Sequence, residues 1–438
     1  MFETIIALAT PQTKSALAII RMSGDDCFEI VSKCFTKDIS KLNKRDINFG
    51  YITDENKKYI DQVVLLTYVA PHSFTGENSV EIMCHGSMLI ANQIINTLIN
   101  AGARYATNGE FSSRAFLNNK IDLVQAEAIN DMINATTLEG KELSMLALRG
   151  ENSKIFIPIK QKIGELLAKI EVNIDYPEYE DIEEISREEV VKESNEIISS
   201  LEELIENGEK DKIYRNGIKI AIVGKPNVGK SSLLNALIHE DKAIVTSIAG
   251  TTRDIVEGDF SINGVPIHLY DTAGLRDSSD IIEQIGIDKA KRAIENSDLI
   301  LFVVDDQGFD NDLYNLIKDK KHLIVYNKKD LLKDMNPNNV YISAKEGDIN
   351  ELINKIKEVM NIGELIIKPS FNNVRQLSVL KKIVSNLKIA IKDTLDNQPI
   401  DLVSTSLMSA YNASLDLLGE SNKNDLVDEI FSRFCVGK

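Results

Sequence analysis

The stretch Ile220-Ala-Ile-Val-Gly-Lys-Pro-Asn-Val-Gly-Lys-Ser231 decides the fold of this chain. Its first four residues are apolar and predict a buried strand, while the apolar positions that follow, up to Leu237, predict a helix. Between them lies a glycine-bounded loop of the kind that turns its backbone N–H groups toward a polyphosphate at a helix N-terminus. The lysine adds a positive charge, and the serine adds a hydroxyl ligand for Mg²⁺. We therefore predict a P-loop with ligand contacts from Asn227, Val228, Gly229, Lys230, Ser231 and Ser232.

Two motifs downstream predict that the nucleotide carries guanine. Asn327-Lys328-Lys329-Asp330 follows one strand-like apolar run, and Ser343-Ala344-Lys345 follows another. The carboxylate of Asp330 can accept hydrogen bonds from the N1–H and the exocyclic amine of guanine. Adenine presents no such donor pair and would leave a buried carboxylate unpaired, so discrimination should be large. We predict contacts to GTP from Asn327, Lys328, Asp330, Ser343, Ala344 and Lys345.

Two segments between these motifs predict the contacts on the γ-phosphate side. Thr251 and Thr252 follow Gly250 and offer hydroxyl groups to Mg²⁺ from a loop that could become ordered when the γ-phosphate is present. Asp271-Thr272-Ala273-Gly274 follows a strand-like run, so a carboxylate should face the Mg²⁺ shell. The predicted contacts to GTP here are Thr246, Ser247, Ile248, Ala249, Gly250, Thr251, Thr252, Asp271, Thr272, Ala273 and Gly274.

The residue after the Asp-Thr-Ala-Gly motif is Leu275, where Ras-like enzymes carry a glutamine that orients the attacking water. An aliphatic side chain cannot orient water, so another group must do so and neutralise the transition-state charge. Asn227 could ligate a monovalent cation through its amide oxygen. Glu283 could act from the start of a later helix, although the residues alone favour a plain solvated acid at this position.

Length and composition limit the remaining possibilities. With 438 residues the chain should form two or three domains, and 43% apolar residues support packed cores. The formal charge of -17 disfavours broad electrostatic binding to nucleic acid or to anionic membrane, so any RNA contact must be local or shared with a partner. Four cysteines without metal-ligand spacing predict reduced thiols. The apolar runs are too short to span a bilayer, and we predict a cytoplasmic protein without membrane contact.

Hydrophobic periodicity predicts a multidomain chain. Residues 1–118 have the pattern of an α/β domain, and residues 214–368 alternate strand and helix as a Ras-like P-loop α/β domain requires. Residues 119–213 and 369–438 both have a helical period. The simplest arrangement is one all-α helical domain built from both helical segments, with the nucleotide domain inserted into it.

Local signals refine this arrangement at three places. Ser186 and Glu189 fit a capping box that starts a long helix. The acidic stretch Tyr176–Glu184 before it is most simply a solvated loop. An inserted nucleotide domain should act on the helices only through its two connections, near residues 213–217 and 367–370.

Three stretches outside the nucleotide domain carry a resemblance to a known family. They are Ser73-Phe-Thr-Gly-Glu77 continuing through Glu81 to His85-Gly86, then Gly109–Asn118 followed by Lys120-Ile-Asp-Leu123, and the ending Phe434-Cys-Val-Gly-Lys438. Together with the nucleotide motifs they resemble the MnmE (TrmE) family of tRNA wobble-uridine modification GTPases across essentially the whole chain. The ending is the most diagnostic, because it has no generic structural role.

The resemblance implies an α/β N-terminal folate-binding domain, a helical domain and an inserted GTPase domain in a homodimer. It implies K⁺ ligands at Asn227, Thr246, Ile248 and Thr251, Mg²⁺ ligands at Ser231 and Thr252, and a catalytic role for Glu283. It also implies a formyl-tetrahydrofolate site at Arg21, Glu81, Lys120 and Lys438. In that site an acid can pair with the donor edge of the pterin and basic groups with glutamate carboxylates.

The family acts with an FAD-dependent partner of the MnmG (GidA) family, and the two form a heterotetramer. The resemblance therefore implies that the pair installs a (carboxymethyl)aminomethyl-type group at carbon 5 of the wobble uridine of tRNA. Cys435 could be catalytic or could be a small residue lining the dimer cavity. Two alternatives stay open: a regulatory GTPase of ribosome assembly of the Era or Der type, and a dimeric scaffold whose GTP site only reports its state.

Overall fold

The computed structural model describes most of the chain, and every structural statement below concerns its described residues. These are 3–41, 45–175, 186–225, 227–240, 258–271, 293–305, 308–331, 336, 339–363, 366–421, 430–432 and 434–437. The chain divides into two compact units. The first unit comprises Met1–Asn130, Leu148–Glu183 and Gln398–Lys438, and the second comprises Asp131–Ala147 and Glu184–Asn397. The predicted acidic loop Tyr176–Glu184 lies outside the described residues.

The first unit contains a six-stranded sheet in the order β3-β4-β5-β2-β1-β6. All its strand pairs are antiparallel except β1 with β6. The strands are β1 (Ile5–Leu8), β2 (Leu17–Ser23), β3 (Asp46–Thr53), β4 (Tyr59–Tyr68), β5 (Ser79–His85) and β6 (Arg104–Tyr105). The edge strand β3 was not predicted: its polar and apolar residues alternate as in a half-buried strand, but Gly50 interrupts this pattern.

Helices cover one face of this sheet and complete the first unit. Helices α1 (Cys27–Cys34) and α2 (Met88–Asn100) bury residues such as Ile30 and Ile94 against alternate strand positions, including Ile20 and Ile82. Helix α3 spans Glu110–Leu117 and α4 spans Leu123–Asn134. Two further helices of this unit, α6 (Glu151–Asp175) and α12 (Ile400–Leu418), pack along each other.

The second unit contains a six-stranded sheet in the order β12-β11-β10-β7-β9-β8, parallel except for the hairpin β8–β9. The strands are β7 (Ile218–Gly224), β8 (Gly258–Ile262), β9 (Val265–Asp271), β10 (Leu299–Val304), β11 (His322–Tyr326) and β12 (Val340–Tyr341). Helices α8 (Lys230–Glu240), α9 (Asn311–Ile317) and α10 (Asn350–Val359) belong to the same unit. This is the predicted doubly wound P-loop fold, because parallel strands alternate with helices along the chain.

Two long helices, α7 (Arg187–Asn216) and α11 (Val374–Leu395), pack against each other within the second unit. The predicted cap at the start of α7 is confirmed, since the hydroxyl of Ser186 accepts a hydrogen bond from Glu189 N at 3.1 Å. The multidomain α/β and helical fold class is therefore confirmed. The predicted domain boundaries at residues 118, 213 and 368 stay a prediction.

Helix α5 (Leu138–Leu148) corrects one expectation. It comes from the first helical segment, yet Leu143 belongs to the apolar core beneath the sheet of the second unit, together with Tyr214 and Ile218. Arg215 at the end of α7 also pairs with Asp131 at 2.5 Å. The two chain connections are therefore not the only route by which the nucleotide domain can act on the helical segments.

Candidate functional site

The P-loop joins β7 to α8 in the predicted way. Asn227 and Gly229 both adopt left-handed conformations, with φ of 62° and 96°. A Cβ at Gly229 would lie 2.2 Å from Nδ2 of Asn327, so no larger residue fits there. The buried Lys230 donates through Nζ to the carbonyl oxygens of Gly224 at 3.0 Å and Lys225 at 2.7 Å. These bonds hold the ammonium group in the curve of the loop, from which it can act on a phosphate.

The buried side chain of Asn327 ties three predicted motifs together. Its Nδ2 donates to Val228 O in the P-loop at 2.8 Å, and its Oδ1 accepts from Ala344 N at 3.1 Å. Asp330 lies three residues further on and is exposed, with Oδ1 accepting from the Ser343 hydroxyl at 3.3 Å. An exposed carboxylate fixed in this way can still accept the donor pair of guanine.

An open cavity of about 490 Å³ lies beside these motifs. Residues of α8 line one side and the Ser-Ala-Lys loop lines the other: Ser232, Asn235, Ala236, Ala344, Lys345, Glu346 and Gly347. Three of these residues, Ser232, Ala344 and Lys345, were predicted to contact the nucleotide. The cavity therefore brings the end of the P-loop and the last predicted guanine motif to one place.

The carboxyl end of β9 lies beside β7, the strand that leads into the P-loop. Strand β9 ends at Asp271, whose backbone pairs with Ile222, two residues before the P-loop begins. Ser231 is the second residue of α8, so its backbone belongs to the first turn of that helix. A serine hydroxyl in the first turn of this helix is a hard oxygen ligand of the kind that suits Mg²⁺. Within the part of the chain that is described, His, Cys, Asp and Glu form no metal-holding group of three.

Several predicted site residues cannot be placed. Those outside the described residues are Thr246, Ser247, Ile248, Ala249, Gly250, Thr251, Thr252, Thr272, Ala273, Gly274, Glu283 and Lys438. Their predicted roles in binding GTP, K⁺, Mg²⁺ and folate and in catalysis stay predictions.

A second cluster lies in the first unit, where Arg21 and Glu81 face each other on the paired strands β2 and β5. The Arg21 guanidinium donates to Glu81 Oε1 from Nε at 3.0 Å and from Nη2 at 2.7 Å. Its Nη1 donates to Gly437 O at 3.2 Å, and the guanidinium lies 5.8 Å from the Phe111 ring centroid. The structure thus joins two predicted folate residues to the C-terminal motif.

The C-terminal motif is held in place by backbone contacts. Gly109 N donates to Cys435 O at 3.3 Å, and Val436 forms a bridge with Asn108. Gly437 has a φ of 89°, and a Cβ there would lie 2.7 Å from Leu8 O. The glycine is therefore needed both for its conformation and for its close approach to the chain.

The remaining two candidates of the first unit differ from Arg21 and Glu81. Lys120 donates a hydrogen bond from Nζ to Pro71 O at 2.9 Å rather than to either residue of the pair.

Cys435 is exposed, whereas Cys27, Cys34 and Cys84 are buried. Burial raises the pKa of the Cys84 thiol to about 11 and also raises those of Cys27 and Cys34. Cys435 is thus the accessible thiol of the four.

Sequence reasoning missed three ion pairs near these sites. Asp305, directly after β10, pairs with Lys328 at 2.6 Å, and the signal was a carboxylate at the end of an apolar strand. In the first unit the buried Arg114 pairs with Glu77 at 3.0 Å and with Glu110 at 2.9 Å. Both partners of Arg114 lie within the Ser73–Glu77 and Gly109–Asn118 stretches. These stretches therefore contribute ion pairs that hold the fold together, in addition to their candidate functional residues.

Comparison with known proteins gives matches along nearly the whole chain. The family model described as the GTP-binding protein TrmE N-terminus matches residues 4–120, and the MnmE helical domain model matches residues 123–435. A tRNA modification GTPase MnmE from Malacoplasma penetrans is 43% identical, with 100% of each chain covered. One from Mycoplasma mobile is 42% identical with the same coverage. A solved structure of Aquifex aeolicus Era bound to GDP and AlF4⁻ covers 39% of this chain and 66% of its own, at 28% identity and a TM-score of 0.27.

Proposed function

Because the chain belongs to the MnmE family of tRNA modification GTPases, we propose that it hydrolyses GTP in a K⁺-stimulated reaction coupled to wobble-uridine modification. GTP hydrolysis in tRNA modification follows from family membership. K⁺ activation, the folate site, the FAD-dependent MnmG (GidA) partner with its heterotetramer, and the (carboxymethyl)aminomethyl-type product at carbon 5 are the proposed refinements.

The observation that supports GTP most directly is the double contact of Asn327. It links the P-loop through Val228 O with the Ser-Ala-Lys loop through Ala344 N. The phosphate-binding loop and the proposed guanine-binding motifs are thereby held in a fixed position relative to each other. The Asp330 carboxylate belongs to the guanine-binding part. Fixed donors and acceptors lower the entropy lost on binding, which favours a specific guanine nucleotide over other polyanions.

Stimulation by K⁺ is proposed from Asn227. Its side chain is exposed in the P-loop, so its amide oxygen is accessible to a cation. A monovalent cation bound there would neutralise developing charge, which an arginine does in other GTPases. We propose Thr246, Ile248 and Thr251 as the other K⁺ ligands, Ser231 and Thr252 as Mg²⁺ ligands, and Glu283 as the group that acts on the attacking water.

Formyl-tetrahydrofolate binding is proposed from the chemistry of the Arg21–Glu81 pair. Both side chains are partly exposed, so the carboxylate can meet a pterin donor edge and the guanidinium a glutamate tail. The C-terminal motif contacts Arg21 through Gly437 O, and Cys435 of the same motif is exposed. We propose Lys438 as a folate contact. Lys120 is proposed as a further folate contact.

A homodimer is proposed from the open face of the sheet in the first unit. Ile47 is 68% exposed, Phe49 56% and Tyr59 67%, and Tyr51 contacts Tyr59 with ring centroids 5.0 Å apart. These apolar side chains lie at the β3 edge, on strands β3 and β4. A grouped apolar surface of this kind favours association with a second copy over exposure to water.

The cytoplasm is the proposed location, since tRNA is modified there. Among the helices that are described, none has the length and apolar character needed to cross a membrane. The charge of -17 is consistent with a partner that supplies much of the RNA contact.

The K⁺ proposal is tested by measuring GTP hydrolysis of the full chain in equal concentrations of KCl and NaCl. We expect a rate at least tenfold higher in K⁺, on the scale of one lost charge-stabilising contact. Asn227→Ala should remove the difference between the salts while leaving GTP binding nearly intact. Equal wild-type rates in the two salts would refute K⁺ activation without touching the family assignment.

The coupling to tRNA is tested by nucleoside analysis of tRNA from a strain lacking this gene. Loss of the modified wobble uridine, restored by the wild-type gene, would support the proposal. Normal wobble uridine together with a defect in ribosome assembly would favour the alternative of a regulatory GTPase.

A further inference from the structure

A buried carboxylate lies beside the guanine motif and has no role in the site as described so far. Asp305 immediately follows β10, and its side chain is 1% exposed. Strands β10 and β11 pair in parallel with Val304 opposite Tyr326, and Asn327 N donates to Val304 O at 2.8 Å. The residues that follow the two strands therefore emerge side by side at the carboxyl edge of the sheet.

This placement joins Asp305 to the lysine of the guanine motif. Lys328 Nζ donates to Asp305 Oδ2 at 2.6 Å, a short charge-assisted hydrogen bond. A buried carboxylate is costly unless it is paired, and a lysine side chain gives up several free rotations when it is fixed. The pair therefore fixes the direction of the Lys328 stem while leaving that side chain 30% exposed.

The neighbours of Lys328 show what this direction serves. The preceding residue, Asn327, contacts the P-loop, and Asp330, two residues further on, carries the carboxylate proposed for guanine. Lys328 itself has a left-handed backbone with φ of 60°, so the chain turns sharply between these two contacts. Lys328 therefore lies in the chain between the residue that contacts the P-loop and the residue proposed to contact guanine.

We propose that Asp305 is a positioning residue for guanine binding: it holds the Lys328 stem in the orientation that packs against the base. In this proposal Asp305 acts through Lys328 rather than by contact with the nucleotide. This inference rests on the proposed assignment of Lys328 to the guanine site. It assigns to the end of β10 a part in nucleotide affinity that the nucleotide motifs do not include.

The test compares Asp305→Asn with the wild type in the full chain, using the dissociation rate of a fluorescent GDP analogue. The change keeps the shape of the side chain and removes its charge, and one charge-assisted hydrogen bond corresponds to about a tenfold change. We expect GDP to dissociate about tenfold faster from Asp305→Asn. Asp298→Asn is the matched control, because Asp298 lies just before the same strand, at its opposite end, and binds Lys219 N; it should leave the rate unchanged.

A double-mutant cycle with Lys328→Met separates positioning from a merely structural role. If Asp305 acts through Lys328, adding Asp305→Asn to Lys328→Met should not accelerate dissociation further. The double variant should also melt at a higher temperature than Lys328→Met alone, because that single change takes the lysine ammonium group away from a buried carboxylate.

Three outcomes contradict the inference. If Asp305→Asn accelerates dissociation equally with and without Lys328, Asp305 acts on the fold and not through the lysine. If Lys328→Met accelerates dissociation and Asp305→Asn does not, only the role of Asp305 fails. If Lys328→Met itself leaves dissociation unchanged, the proposed guanine role of Lys328 fails as well.

Discussion

At the scale of single residues, Glu110 makes the stability of the first unit depend on pH. Its Oε1 accepts from Arg104 Nη2 at 2.6 Å and from Arg114 Nη2 at 2.9 Å, and its Oε2 accepts from Thr107 N at 2.9 Å. Burial alone would raise the pKa of this carboxyl, but these hydrogen bonds outweigh burial and lower the pKa from its ordinary 4.5 to about 2. The folded chain therefore stabilises the charged form of Glu110 more than the unfolded chain does.

The lowered pKa predicts a stability contribution with a definite pH window. A carboxyl whose folded pKa is depressed stabilises the fold above about pH 4.5, and this contribution is lost as pH falls toward 2. Glu110→Gln should lower the free energy of unfolding at pH 7 by up to about 3 kcal/mol, and the difference from wild type should shrink as pH falls. Urea unfolding followed by circular dichroism between pH 7 and pH 3 measures this.

The control for Glu110 is Glu29→Gln, since Glu29 forms an exposed pair with Lys33 at 3.5 Å. Exposed pairs contribute little, so the control should unfold like the wild type. A difference between Glu110→Gln and wild type that stayed constant across the pH range would show that the charge of Glu110 is not the cause.

At the scale of elements, helix α5 is part of the support of the nucleotide-binding sheet. Leu143 is buried in the same core as Tyr214 and Ile218, and Gly140 approaches Tyr214 O. Glu139 lies close to Gly264 at the tip of the β8–β9 hairpin. The helix therefore contacts the chain between the two segments that were predicted to lie on the γ-phosphate side of GTP.

We predict that Leu143→Ala loosens the nucleotide-binding sheet, because truncating a buried leucine typically costs about 2–5 kcal/mol. Amide hydrogen exchange should become faster in the peptide that covers β7, Ile218–Gly224, in the full chain. Met145→Ala is the matched control on the same helix, as Met145 is 40% exposed. Unchanged exchange in β7 for Leu143→Ala would mean that α5 does not stabilise the sheet.

The elements also show what the sequence could and could not predict. Strand β7, the P-loop and α8 follow from local patterns, because an apolar run, glycines and a helical period lie next to one another. Strand β3 does not, because Gly50 interrupts its alternating pattern, although its partner β4 follows directly in the sequence. The packing of Leu143 does not either, because it depends on Tyr214 and Ile218, which are far away in the sequence. The Asp305–Lys328 pair likewise depends on β10 and β11 being neighbours in the sheet, which no local pattern states.

At the scale of the whole molecule, the proposed coupling between hydrolysis and tRNA modification can be separated by two variants. Glu283→Ala should retain GTP binding and lose most hydrolysis, since the proposed role of Glu283 is on the attacking water. A strain with this variant should also lose the wobble modification, although the Arg21–Glu81 site is untouched. GTP turnover of the purified protein and nucleoside analysis of the strain measure the two activities.

Cys435→Ser is the complementary variant in that experiment. Cys435 is exposed in the C-terminal motif of the first unit, whereas the P-loop belongs to the second unit. GTP turnover should therefore stay at the wild-type rate. Full wobble modification in the Glu283→Ala strain, with no hydrolysis by its purified protein, would show that the two activities are independent.

The packing of Leu143 matters for anyone who wishes to study the nucleotide domain in isolation. A fragment of residues 214–368 would carry the P-loop and the guanine motifs, yet it would leave out α5 and open an apolar gap beside Tyr214 and Ile218. Such a fragment should aggregate more readily and release nucleotide at a rate that does not represent the intact chain. Supplying residues 131–147 as a separate peptide, or joining them to the fragment through a flexible linker, should restore its solubility.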